Sequence, residues 1–190
     1  MAEYKAFIPG VKVSGKAIFS VLEAMKGFDA NASELLEKNG IKYFINEGWY
    51  PQQAWLNTLK DIADKMGEVM LFNIGKAILS NVKLPPGIES IEKGLCLIDV
   101  AYHMNYRLNG KIMFDPFTGI MTEGIGHYVY EKTGEKSGKV IGLNPMPCEY
   151  SRGFITAMTR HFQPLSEVIL DSNVKNKKDG EDSSTYIITW

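Results

Sequence analysis

The segment Gly126–Trp190, GHYVYEKTGEKSGKVIGLNPMPCEYSRGFITAMTRHFQPLSEVILDSNVKNKKDGEDSSTYIITW, decides the fold. Its first part alternates with period two: His127, Val129 and Glu131 face one way, and Tyr128, Tyr130 and Lys132 the other. Gly134–Gly138 turns the chain into a second strand, Lys139–Leu143. Asn144-Pro-Met-Pro147 then breaks the extended run and opens a helix. That helix carries the stripes Tyr150, Phe154, Ala157, His161 and Ile155, Met158, Phe162, and Gln163-Pro164 ends it. Glu167–Val174 and Ser184–Trp190 read as a closing hairpin rich in β-branched residues. The expectation is one antiparallel sheet from strands near 126–132, 138–143, 167–174 and 184–190, because each hairpin connection is too short for a crossover.

Upstream the pattern is helical. Ser14 caps a helix bearing Ile18, Val21, Leu22 and Met25, and a shorter helix through Leu35 and Leu36 stops at Asn39-Gly40. Ile41–Gly48 fits either an extended segment or a helical turn. Pro51 suits a first helical turn, followed by Trp55, Leu59, Ile62 and Met66 at helical spacing. Glu68–Val82 reads as a further, central helix with little polar face. After Pro85-Pro86-Gly87, the residues Ile88, Ile91, Leu95, Ile98 and Tyr102 give the cleanest helical period in the chain. Asn109-Gly110 either ends this helix or turns it into a strand through Lys111–Phe114. The fold class is therefore α+β: N-terminal helices, about 14–108, followed by a β-β-α-β-β sheet region, about 111–190, as a single domain.

The composition excludes several functions. The 190 residues are 45% hydrophobic and 23% charged with a formal net charge of −1, so no overall field recruits nucleic acid or an acidic membrane. The cluster Lys175–Lys178 is followed by Asp179, Glu181 and Asp182 and reads as a solvated hairpin tip. Cys96 and Cys148 are too few for a disulfide framework, and a reducing, cytoplasmic setting is expected. The opening Met-Ala-Glu-Tyr-Lys-Ala-Phe lacks a signal-peptide pattern, and Asn73 and Lys76 interrupt the longest apolar run.

Helices followed by β-β-α-β-β resemble the ligand-binding fold shared by 4-vinyl reductase domains, haem nitric-oxide/oxygen sensors and TRAPP vesicle-tethering subunits. Asn144-Pro-Met-Pro-Cys-Glu-Tyr-Ser-Arg-Gly-Phe-Ile155 is similar to the 4-vinyl reductase segment in which a Pro- and Cys-containing turn enters a helix with an early Gly. Lys178–Trp190 is similar to that family's last hairpin. The resemblance implies a sensory or ligand-holding domain, often a homodimer, with an apolar pocket between helices and sheet. Many 4-vinyl reductase domains carry metal-binding cysteines in the last hairpin. Here those positions fall at Ser184 and near Asn176, which are not usual zinc ligands, so no zinc site is carried over. The haem sensors hold propionates with Tyr-x-Ser-x-Arg. Tyr150-Ser151-Arg152 has these residue types at a spacing that diverges about 100° per residue on a helix.

Among single residues, His103 stands on the long helix broadly where the resemblance places a haem ligand. Asp99, His103 and Arg107, at four-residue steps, read instead as one polar stripe. His127 and His161 lie on a strand and a helix and belong to no cluster at metal-ligand spacing. Cys148 at a helix start has either a thiol lowered by the helix dipole or the part of a small buried residue in a Pro-rich turn. Ser151 and Ser166 lack nucleophile-elbow context, which gives a serine hydrolase no support, and with no nucleophile–base pair visible no enzyme activity is expected.

The expected function is a cytoplasmic sensory module that binds a small apolar or aromatic ligand, with no metal and no required cofactor. Leu95, Ile98 and Tyr102 on one helix and Phe154 and Met158 on the other are the expected lining, around a cavity of a few hundred Å³. With the chain ending on its last strand, the signal is expected to pass through a homodimer, built largely by N-terminal helices, or through a protein partner. Two alternatives are an interaction protein resembling the TRAPP subunits and a haem gas sensor using His103.

Overall fold

The computed structural model describes residues 3–27, 29–81 and 84–190. Its helices are α1 (Gly15–Ala24), α2 (Asp29–Lys38), α3 (Gln52–Met66), α4 (Glu68–Ala77), α5 (Ile91–Met104) and α6 (Cys148–Phe162). Ser14, the expected cap of α1, and Ser90, which caps α5, each accept a hydrogen bond at 3.3 Å from the backbone N–H three residues on. The helix expected over 68–82 ends as α4 at Ala77 and continues as a 3-10 turn, Ile78–Asn81; Val82 lies outside the described residues. Val69 is exposed, so α4 buries one face through Leu71, Ile74 and Gly75 instead of its whole surface.

Among the described residues the strands form two sheets of four. β5 (His127–Gly134), β6 (Ser137–Leu143), β7 (Glu167–Leu170) and β8 (Ser184–Thr189) make the expected antiparallel sheet, in the order β5-β6-β8-β7. β8 returns between β6 and β7, pairing Val140 with Tyr186 and Val168 with Ile188. β7 is shorter than expected, because 171–183 forms a connection containing a 3-10 turn, Lys177–Asp179. The other sheet joins β1 (Lys12–Ser14), β2 (Trp49–Pro51), β3 (Tyr106–Leu108) and β4 (Lys111–Ile112) in the order β2-β1-β3-β4. Asn109 and Gly110, at φ 51° and 82°, supply the tight turn between β3 and β4, so that dipeptide makes a hairpin after the helix has ended.

One continuous apolar core runs from Val11 to Ile188. α6 lies on the second sheet, where Tyr186 donates to the Cys148 carbonyl and Tyr128 bonds Ser151. α4 covers α6 from the other side. Their backbones touch at two glycines: a Cβ on Gly75 would collide with the Tyr150 carbonyl, and one on Gly153 with that of Phe72. This approach fixes α6 and brings α5, α6 and β5 to a common joint.

Candidate functional site

The joint is filled with aromatic rings. The ring of Tyr102 stands edge-on to Tyr106 at 4.9 Å and to Tyr128 at 5.3 Å, and Tyr128 meets Phe154 at 6.5 Å. Each hydroxyl has a partner: Tyr102 donates to the Ile125 carbonyl at 2.9 Å, Tyr106 to Met146 Sδ at 3.5 Å, and Tyr128 shares a 2.8 Å bond with Ser151. Burial pushes the Tyr102, Tyr106, Tyr128 and Tyr150 phenols above their ordinary value, so these groups stay neutral donors.

A cavity of about 30 Å³ remains between Tyr102, Tyr106, Tyr128, Tyr150, Phe154 and Met146. That is about the volume of one water in the liquid. The expected volume of a few hundred Å³ is not found, because the tyrosine rings occupy it. Of the residues expected to line it, Tyr102 and Phe154 do; Leu95, Ile98 and Met158 are fully buried in the core beside it. Ala17, Ile78 and Asn105 form a wall common to this cavity and an open groove of about 520 Å³. Ser14, Lys16, Asn46, Trp49, Met104 and Ile112 line that groove. Trp49 is held by the Arg107 guanidinium, 4.6 Å over its ring.

Beside the aromatic joint lies a polar cluster. Asp99 Oδ1 accepts the Tyr128 N–H at 2.9 Å, and Oδ2 meets His127 Nδ1 at 2.8 Å. His103 Nδ1 donates to the Asp99 carbonyl at 2.9 Å, one helical turn back. His127 Nε2 faces the exposed Glu123 carboxylate at 3.2 Å. Burial pulls the His127 pKa down, but the bonds to Asp99 and Glu123 outweigh it and the net direction is upward. The expected polar stripe of Asp99, His103 and Arg107 is not formed as one face. α5 stops at Met104, Arg107 leaves with β3, and β5 covers the remaining pair, so His103 is 0% exposed. The tertiary structure thus joins His127 to two residues that sequence spacing kept apart from it.

A second polar cluster sits at the start of α6. Cys148 Sγ lies 3.0 Å from Ser184 Oγ, in contact with the position where the last hairpin lacks a cysteine. Lys177, expected at a solvated tip, is 4% exposed. Its ammonium donates to the Asn144 carbonyl at 3.2 Å, to Asn144 Oδ1 at 3.4 Å and to the Met146 carbonyl. Burial lowers its pKa to about 8. Burial and the neighbouring Glu3 push the Cys148 thiol up to about 11, so the helix start does not activate it.

No protein-family model matches the chain, and no curated protein matches it in sequence. Solved structures do. An H-NOX protein from S. oneidensis in the Fe(II)NO ligation state superposes with a TM-score of 0.63 at 16% identity, covering 92% of this chain and 97% of that one. The chain has the H-NOX fold. A mutant form of T. tengcongensis H-NOX gives a TM-score of 0.63 at 11% identity, covering 91% and 94%. The Fe(II) unliganded H-NOX protein from K. algicida gives 0.61 at 15%, covering 93% and 95%. The fold expected from helices followed by β-β-α-β-β is thereby borne out.

Proposed function

We propose that this chain is a small-molecule-binding sensory module whose ligand binds in the open groove, against the wall it shares with the tyrosine-lined joint. The observation that carries the reading is the lining common to groove and cavity: Ala17, Ile78 and Asn105 border both an open groove of about 520 Å³ and the cavity of about 30 Å³ at the tyrosine joint. A flat apolar or aromatic molecule suits the groove, since Trp49, Met104 and Ile112 offer it apolar surface. Binding would spread α1 from α5 and α6, and that displacement is the signal a homodimer or protein partner reads.

The H-NOX neighbours bring haem into consideration, and the residues present do not fit it. His103 does offer a buried Nε2 with no hydrogen-bond partner among the described residues. The joint beside it, however, holds about 30 Å³. Arg152, the cation of the Tyr-Ser-Arg triplet, is committed to Glu149 at 2.6 Å and to the Phe72 ring at 4.3 Å. Ser151 is committed to Tyr128.

Titration with phenol, followed by tyrosine fluorescence and by thermal shift, tests the reading. Saturable binding that Ala17→Phe weakens at least tenfold is expected, because the new ring blocks the common wall. Absence of phenol binding, or equal binding by the variant, overturns it. A Soret band developing on haem addition and lost in His103→Gln would establish the haem sensor in its place.

A further inference from the structure

We propose that Asp99, His103 and His127 form a site for one divalent transition-metal ion of the zinc type, clamping α5 to β5. One nitrogen of each imidazole and one Asp99 oxygen lie within 4.8 Å of one another. Ligands bound to a tetrahedral ion at about 2.0–2.1 Å stand roughly 3.3 Å apart. Asp99 Oδ2 and His127 Nδ1 are already 2.8 Å apart, and the His103 ring lies beside the His127 ring with centroids 4.8 Å apart, which sets the second imidazole next to that pair. Two imidazoles and a carboxylate are borderline and hard donors together, which selects zinc, cobalt or iron(II) over calcium or magnesium. Three protein ligands leave the fourth position to water or a small molecule.

Protonation and outer contacts agree with this use. A carbonyl oxygen can only accept, so the 2.9 Å bond to the Asp99 carbonyl places the His103 proton on Nδ1 and leaves Nε2 with a free lone pair. That Nε2 is buried and without a hydrogen-bond partner among the described residues, a costly condition unless another group meets it. His127 has the Glu123 carboxylate at one nitrogen and Asp99 at the other, the carboxylate–histidine arrangement that orients metal ligands. Asp99 is held in turn by the Tyr128 N–H. On binding, His127 releases to solvent the proton it shares with Asp99, and the ion takes that place between them. No electron transfer is involved. The inference stands apart from the proposed ligand site, since none of the three residues lines the groove or the cavity beside it.

Cobalt(II) chloride added to the chelator-treated protein gives the test. Visible bands of a low-symmetry nitrogen/oxygen site should appear with one equivalent per chain, and zinc chloride should bleach them. His127→Gln should weaken cobalt binding at least tenfold, and Asp99→Asn should do the same with side-chain shape preserved. His161→Gln, which alters an exposed histidine remote in sequence, should change it less than twofold. Far-UV circular dichroism verifies that each variant is folded. Absence of cobalt bands, or equal affinity in His127→Gln and the parent, overturns the site and leaves an ion-paired histidine clamp. Loss in His161→Gln overturns it in favour of surface binding.

Discussion

Two polar clusters lie against the same sheet, one buried and one half-buried, and they meet the cost of burial in opposite ways. At the start of α6, Lys177 brings its own positive charge to the carbonyls of Asn144 and Met146 and to the Asn144 side chain. Cys148 and Ser184 close the same cluster against one another. At the α5–β5 contact the partners are a carboxylate and two imidazoles, and His103 Nε2 is left over. A buried acceptor needs a donor or a cation. The first cluster carries that cation in its sequence, whereas the second offers an unpartnered nitrogen to one from solution.

Removing the internal cation is the largest perturbation. Lys177→Met should destabilise the protein by about 3 kcal/mol, read as the shift in urea unfolding, because acceptors that now receive ammonium hydrogens lose them. A cost below about 1 kcal/mol would mean that the methionine's packing compensates, and the contrast between the clusters would weaken.

Supplying the external cation comes next. Zinc at a hundredfold excess over its dissociation constant should stabilise the parent by about 2.7 kcal/mol. His127→Gln should show none of this gain, and Cys148→Ala should keep all of it. Zinc protection lost in Cys148→Ala would reverse the assignment of the two clusters.

The smallest effect is a pH signature confined to the lysine cluster. Lys177 binds its proton with a pKa of about 8 when folded against 10.5 as its ordinary value. Between these values the unfolded chain holds more protons, so stability rises with pH; the contribution is lost as pH falls through 8. Cys148 works the other way, at about 11 folded against 9.0, so its contribution is complete below 9.0 and fades as pH climbs toward 11. Unfolding midpoints should therefore climb from pH 8 to 9 and then flatten. In Cys148→Ala the climb should continue beyond pH 9, and in Lys177→Met it should vanish.

Much of the fold was legible locally. The period-two run from His127 and the Pro-rich break before Cys148 foretold the sheet of β5–β8 and α6, and Ser14 and Asn109-Gly110 mark ends that the structure uses. The first sheet was not legible, since β1, β2 and β3 are three residues each and β1 pairs with segments far along the chain. A strand that short carries no period to detect. The site was legible only in part: Tyr102 and Phe154 were named from helical stripes, but their volume could not be.

The sequence by itself determined that helices precede a β-β-α-β-β region and where most of those longer elements lie, because caps, turns and periodicity act over a few residues. Only the tertiary structure decided that tyrosine rings fill the joint, that Lys177 is interior, and that His127 meets Asp99 across 28 positions. These outcomes depend on how α4, α5, α6 and the two sheets pack. Packing is a competition for volume and hydrogen-bond partners among residues distant in the chain, and it leaves no mark on the spacing of any one segment.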